Sequence, residues 1–277
     1  MAGMLYLVPT PIGNLGDISP RAAQTLEAAD FIAAEDTRVS VKLLNHLELK
    51  KPMISYYEHN KNEVGPKIVE RLLAGETCAL VSDAGTPAIS DPGEDLVRLC
   101  AQAGVVVCAI PGPCAAVTAL AISGLPTGRF TFEGFLSINK RNRREHLAAL
   151  NGETRTMIFY EAPHKLAATL RDFAQAFGAE RRISLCRELT KLHEEVLRMT
   201  LAQAIVYYEQ TEPRGEYVLV LEGATPVEES GISLETALQL VADLMVSGLS
   251  RKDAVKQIAK ETGLAKNVLY DAALKQQ

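Results

Sequence analysis

What this 277-residue chain lacks narrows its chemistry first. Its five cysteines, Cys78, Cys100, Cys108, Cys114 and Cys186, form no CxxC pair, and their odd number and irregular spacing give no disulfide framework. The start, MAGMLYLVPTPIGN, has neither the basic nor the apolar region of a secretory signal. A reducing cytoplasm is the expected compartment. The apolar stretch GVVVCAIPG falls far short of the ~20 residues a spanning helix needs, and no other stretch comes closer, so no membrane association is expected. No GxGxxG follows an expected strand and no GxxxxGKS/T loop is present, which takes most of the weight from dinucleotide-binding and P-loop readings. HExxH and Cys/His sets with zinc spacing are missing too, so a metal has no obvious ligands. The net charge of −5 argues against an indiscriminate binder of polyanions. Any nucleic-acid contact has to be local.

What is present reads as globular α/β. Hydrophobic residues at 47% and charged residues at 23% support ordinary cores, and the length suggests two domains at roughly 100–200 residues each. Short apolar runs recur between helical patterns: MLYLV, DFIAA, MISYY, CALVS and VVVCAI, then TFEGF, TMIFY, RISLC and YVLVLE. Helix starts are marked by Ser19-Pro20 and by Asp91-Pro92, the latter helix stopping at Gly104. The Gly/Pro-punctuated SGLPTGR, residues 123–129, marks a hinge, and ATPVEESG beyond Gly223 reads as a linker before helices only. The expected organisation is an N-terminal α/β domain, 1–124, a second α/β domain, 125–225, and a short all-helical C-terminal extension, 226–277.

Two loops stand out. VSDAGTPAISDPGEDLV, from Val81 to Val97, puts a Gly- and Pro-rich turn directly after a buried strand and before a capped helix. In open α/β sheets that edge faces the ligand crevice, and a glycine such as Gly85 lets a ligand approach the main chain. Asp83 could tie down its own turn through an Asx-type bond. The second loop, AIPGPCAAVTAL, fixes a rigid turn at Pro111, Gly112 and Pro113 and places Cys114 and Ala115 at a helix start. Tight strand-to-helix packing explains either loop as well as a ligand does.

Six segments together are more specific: LYLVPTPIGNLGDIS, AAEDTR, YYEHN, LVSDAGTPAISDPG, PGPCAAVTAL and FYEAPHK, spread over both expected domains. On these the chain resembles the tetrapyrrole-methylase family, in its branch acting on ribosomal RNA. The resemblance implies two α/β domains with S-adenosylmethionine in the cleft between them, leaving as S-adenosylhomocysteine, usually in a homodimer. It also implies transfer to a cytidine ribose 2′-hydroxyl in the decoding region of small-subunit ribosomal RNA. Carried over by position, Asp83, Gly85, Thr86, Ile89, Pro111 and Gly112 would line the donor site. Cys114, Ala115, Tyr160 and Leu189 would join them.

Methyl transfer is a one-step displacement, so positioning is the main task and a base helps only if it reaches the hydroxyl proton. Candidates are Glu35, Asp36 and Arg38 in AEDTR, and His59 with Glu58 and Asn60 in YEHN, both segments being expected to face the cleft. Glu35 and Asp36 beside Arg38 also read as an ion-pair cluster ordering the loop, and His59 as a solvated histidine. Gly13, Asn14 and Gly16 could form an anion-binding nest or a turn before the first helix. The basic run of Lys140, Arg141, Arg143 and Arg144 is a solvated helix start or, given an RNA substrate, a set of phosphate contacts. At the C-terminus, Arg251, Lys252, Lys256, Lys260, Lys266 and Lys275 accompany Ala259 and Gly263, spaced as in a helix-turn-helix with the glycine at the turn. That pattern reads as a three-helix RNA-docking or packing extension. A methylase of a tetrapyrrole or other small molecule, and a non-catalytic RNA-binding assembly protein, remain open alternatives.

Overall fold

Apolar runs of strand length alternating with capped helices build two five-stranded sheets within residues 1–224, and a second, helical unit occupies 225–277. The computed structural model describes residues 3–225, 233–264 and 266–275; Pro226 to Gly231 of the expected linker and the Lys275 side chain lie outside the described residues.

The first sheet grows by strict alternation: β1 (Met4–Leu7), α1 (Pro20–Ala28), β2 (Phe31–Ala34), α2 (Thr37–His46), β3 (Met53–Ser55), α3 (Lys61–Leu73), β4 (Cys78–Val81), α4 (Gly93–Gln102) and β5 (Val106–Ala109). The strand order is β3-β2-β4-β1-β5 and every pairing is parallel. Parallel strands need helical crossovers that cover both faces. Accordingly Phe31 and Ala33 enter one core with Leu5 and Leu80, while Ile32 and Ala34 enter the other with Val8 and Val81. The Ser19 hydroxyl accepts the Ala22 amide at 3.1 Å and Pro20 opens α1, as the sequence signals. At α4 the cap position is Pro92, and it is the Asp91 carboxylate that accepts the Ala88 and Gly93 amides at 3.0 and 2.7 Å.

Helix α5 (Ala115–Ile122) follows the first sheet but packs on the second, where Ala116, Ala119 and Leu120 meet Ile158, Cys186 and Val220. That sheet comprises β6 (Phe130–Phe135), α6 (Lys140–Ala149), β7 (Thr156–Glu161), α7 (Pro163–Phe177), β8 (Arg182–Arg187), β9 (Glu195–Thr200), α8 (Leu201–Gln210) and β10 (Tyr217–Leu221). Its order is β6-β7-β10-β8-β9, with only β6 and β7 parallel. Strand β9 is absent from the sequence-based set of strands. It is an edge strand, partly buried along its length, and its Glu195 and Arg198 interrupt the apolar run that marks a buried strand.

In the helical unit, α9 (Leu234–Val246), α10 (Arg251–Thr262) and α11 (Lys266–Lys275) close on a core of Ala237, Val241, Val255, Ile258 and Leu269. Gly263 ends α10 with φ +73°, the left-handed turn residue that the sequence points to. No helix among the described residues is long and apolar enough to cross a membrane.

Candidate active site

The carboxyl ends of β1, β2, β4 and β5 and those of β6, β7 and β8 border one cavity of about 550 Å³. Antiparallel β10 adds its amino end, because Tyr217 pairs with both Glu161 and Arg187. A space of this size holds a nucleoside-sized ligand.

The loop after β4 is tied into the wall by several bonds. Gly85, at φ +83°, exchanges two main-chain bonds with Thr10, 2.9 and 3.0 Å long, which ties this loop to the one after β1. Thr86 Oγ1 donates to the Pro113 carbonyl at 2.8 Å and so ties it to the loop after β5. Ala88 and Ser90 both take left-handed φ values, +69° and +66°, which costs a side-chain-bearing residue roughly 1–2 kcal/mol each. The two Asp91 bonds hold the chain in that shape. Asp83 does not close its own turn. Its carboxylate reaches across to accept the Asp36 amide at 3.0 Å, joining the loop after β4 to the loop after β2.

Glu35 ends up beside that link, on the cavity wall. Burial, and then the negative charge of Asp83, raise its carboxyl above the ordinary 4.5. Asp36 behaves oppositely: bonds from the Arg38 side chain and amide hold it down at about 2. The pair orders the start of α2, with the Arg38 guanidinium 88% exposed, and neither residue lines the cavity. His59 is exposed, its ring edge-on to Tyr57 at 6.2 Å, while Glu58 pairs with Lys61 and Asn60 caps the Tyr57 amide. The YEHN segment is thus the turn into α3, and His59 stays off the cavity wall.

Among the donor-site residues taken from the family, Asp83, Gly85, Thr86, Ile89, Cys114 and Ala115 line the cavity from the first sheet's loops, and Tyr160 and Leu189 from the second sheet. Pro111 and Gly112 do not; a Cβ on Gly112 would stand 2.3 Å from Pro9 Cγ, so this glycine serves loop-on-loop packing. The anion nest is not formed as expected either, since the Gly16 amide is taken by Asn14 Oδ1 at 2.9 Å in a short 3₁₀ turn before α1.

Several lining residues carry no strong local signal in the sequence. Lys191 bonds Glu188 and Glu216, each at 2.8 Å, at the rim where β8 and β10 meet. Glu161, only 5% exposed, accepts the Ala162 amide and the Thr169 hydroxyl; Thr169 in turn accepts from Arg143 at 2.7 Å, and Arg143 pairs with Asp172. Glu161 lies within FYEAPHK, the one signal that marks it.

The basic run forms the first turns of α6. Arg141 pairs with Glu145, and Arg143 is drawn into the Thr169–Asp172 network, whereas Lys140 and Arg144 pair with no carboxylate among the described residues. Lys140, Arg143 and Arg144 line a groove of about 760 Å³ between α6 and α7, with Lys165 on its other side.

A parallel sheet and a mixed sheet with a ligand-sized cavity at their facing ends define a two-lobed α/β fold, and the comparisons assign it to the methylases. The family described as Tetrapyrrole (Corrin/Porphyrin) Methylases matches residues 4–205, and the RsmI C-terminal HTH domain matches residues 232–277. A protein of Synechocystis sp. named Ribosomal RNA small subunit methyltransferase I is 50% identical over 272 residues, 98% of each chain. One of the same name from Halalkalibacterium halodurans is 47% identical, covering 97% of this chain and 94% of its own. The crystal structure of uroporphyrin-III C-methyltransferase from Thermus thermophilus complexed with S-adenosylhomocysteine superposes with a TM-score of 0.53 at 17% identity, over 79% of this chain and 97% of that one. It shares the fold. The chain belongs to the tetrapyrrole methylases and, within them, to the family of these ribosomal RNA small subunit methyltransferases I.

Proposed function

We propose that the protein transfers a methyl group from S-adenosylmethionine to the 2′-hydroxyl of a cytidine ribose in the decoding region of small-subunit ribosomal RNA. The observation that carries the donor half is the cavity itself, where Glu35, Asp83 and Asp91 line the wall beside apolar Ile89, Ala115 and Leu189; the acceptor half is supported by the relatives named for ribosomal RNA. A sulfonium and an ammonium group suit the carboxylates, and Lys191 at the rim suits the donor's own carboxylate. Bound there, the donor supplies an electrophilic methyl carbon on a positively charged sulfur. Asp83, Gly85, Thr86, Ile89, Cys114 and Ala115 would hold it from one lobe, 1–124. Tyr160 and Leu189 would hold it from the other, 125–225.

The chain's part in the displacement is orientation. Fixing acceptor and donor at attack distance supplies on the order of 7–11 kcal/mol at best. Glu35 is the only one of the four candidates Glu35, Asp36, Arg38 and His59 on the cavity wall, and its raised carboxyl makes it the stronger base for the hydroxyl proton. Asp36 and Arg38 then act by positioning it. Lys140, Arg141 and Arg144 supply cations facing the RNA, with Arg143 held by Asp172 and Thr169 behind them, and the helix-turn-helix unit is a further docking element. The protein would work as a homodimer in the cytoplasm, where its five unpaired cysteines suit a reducing compartment.

The test is transfer of labelled methyl from S-adenosylmethionine to small subunits, to naked ribosomal RNA and to a porphyrinoid precursor, followed by alkaline hydrolysis of the product. Label on small subunits that survives as an alkali-resistant dinucleotide supports a ribose methyl. Label in the porphyrinoid alone identifies a small-molecule methylase. No label anywhere points to an RNA-binding assembly protein.

A further inference from the structure

Strand β6 ends irregularly. Its pairing with β7 shifts between Phe132 and Gly134, and Gly134 takes φ +61°. A bulge of this kind inserts one residue and re-aims the side chains that follow it. Phe135, the next residue, lines the cavity yet is 59% exposed. Its ring meets Tyr160 at 5.5 Å and 62°.

The residues just beyond Phe135 serve a different hollow. Leu136, Ser137 and Ile138 line the groove between α6 and α7, and Ile138 is 84% exposed there. The same change of sides occurs at the start of α7, where Pro163 lines the cavity and Lys165 the groove. Cavity and groove therefore share one wall, made of the β6 end and the α7 start. On the groove side of that wall, Lys140, Arg144 and Lys165 pair with no carboxylate among the described residues, in a chain whose net charge is −5.

We propose that this wall is where the acceptor strand turns in: its phosphates lie on Lys140, Arg144 and Lys165, and the acceptor nucleotide's base stacks on Phe135, which leaves its ribose hydroxyl over the cavity. The proposal rests on the RNA reading above. Proteins that recognise single-stranded RNA combine a cationic track with an aromatic face for a splayed base. Cations without a carboxylate partner among the described residues on the groove side of that wall, and a largely exposed phenyl ring on its cavity side, provide both parts.

Labelled methyl transfer to small subunits is measured for wild type and for Phe135→Tyr, Phe135→Leu and Phe135→Ala, with S-adenosylhomocysteine affinity read by calorimetry. The substituted side chain is mostly exposed, and retained affinity for S-adenosylhomocysteine reports an intact cavity. Tyrosine should match wild type, while leucine and alanine raise KM for the subunit about tenfold or more. Leucine performing like tyrosine overturns the stacking role, because apolar bulk then suffices. Weaker S-adenosylhomocysteine binding in Phe135→Ala also overturns it, since the ring then serves the donor. If wild type labels the subunits and Phe135→Ala equals it, this proposal alone falls; if wild type labels none, the RNA reading falls and takes this one with it.

Discussion

The Tyr160 hydroxyl oxygen accepts the Ala116 amide at 3.2 Å, so a strand of the second sheet secures the first turn of the helix that leaves the first. Amides in a helix's first turn have no partner within the helix. Burial pushes the phenol from 10 up to about 12, so it stays protonated even in mildly alkaline solution. Tyr160→Phe should cost about 1 kcal/mol in urea unfolding. It should also weaken S-adenosylhomocysteine binding several-fold, because Cys114, just before that turn, and Ala115, which opens it, both sit on the cavity wall. Unaltered stability and affinity together would show that the bond organises nothing.

Glu35, proposed above as the base, would tie pH to both activity and stability, in opposite directions. In that role it has to be ionised, so kcat should fall as pH drops through its raised pKa, and Glu35→Gln should lose that limb along with a factor on the order of 10²–10⁴ in kcat. For stability, a carboxyl whose folded-state pKa is raised favours the folded state while protonated. Its contribution is complete below 4.5 and is lost as pH rises through the folded value. The unfolding free energy of wild type relative to Glu35→Gln should therefore decline with rising pH. A kcat profile left unchanged by the glutamine would assign catalysis to positioning alone.

Much of this site was legible in the sequence because it consists of loops after buried strands, and glycine and proline announce such loops. The stretch around Gly85 and Thr86 is the clearest case. What was not legible depends on pairing between distant segments. Asp83 looked able to cap its own turn, yet its partner is Asp36, 47 positions away, brought close only by the β2–β4 pairing. Lys191 and Glu216 meet at the cavity rim because β10 runs antiparallel to β8, a register that no local pattern encodes. Strand β9 escaped notice because an edge strand can carry charge where a central one cannot. In AEDTR the sequence leaves a base and a loop-ordering ion pair both open, and the fold has room for each: Glu35 turns to the cavity and Asp36 turns to Arg38.

Gly112 sets how closely the loop after β5 approaches the loop after β1. In Gly112→Ala the new Cβ would lie 2.3 Å from Pro9 Cγ and 2.9 Å from Pro9 Cβ. A proline ring cannot swing aside, so the backbone must move, and a loss of about 1–3 kcal/mol is expected. Gly128→Ala, where nothing lies within 4 Å, is the control and should unfold like wild type. Equal midpoints for both variants in urea would refute the packing argument.

Thr169 is the middle of the buried chain from Arg143 to Glu161. Thr169→Val keeps the shape and removes the hydroxyl, leaving Glu161, at 5% exposure, with only the Ala162 amide. Loss of a partner to a buried charged group costs about 1–3 kcal/mol or more. Thermal unfolding of Thr169→Val and of Thr169→Ser, which restores the hydroxyl, separates this from simple packing: serine should recover most of the loss, and a serine variant no better than valine would argue against the hydrogen bond.

The groove cations can be tested without disturbing the fold, provided the right ones are chosen. Arg143 is unsuitable because it holds Asp172 and Thr169. Arg141 is exposed and paired with Glu145, a contact worth only about 0.3–0.5 kcal/mol that RNA could readily displace. Lys140 and Arg144 pair with no carboxylate among the described residues. Replacing both with alanine removes two phosphate contacts, and for a single strand each contributes about 0.7 to the slope of log K against log salt. Binding to small subunits or ribosomal RNA should therefore weaken, with a slope shallower by about 1.4, while S-adenosylhomocysteine affinity stays as in wild type. A slope identical to that of wild type across a salt titration would place the RNA path elsewhere on the molecule, and the unpaired charges on α6 would then be an ordinary solvated helix face.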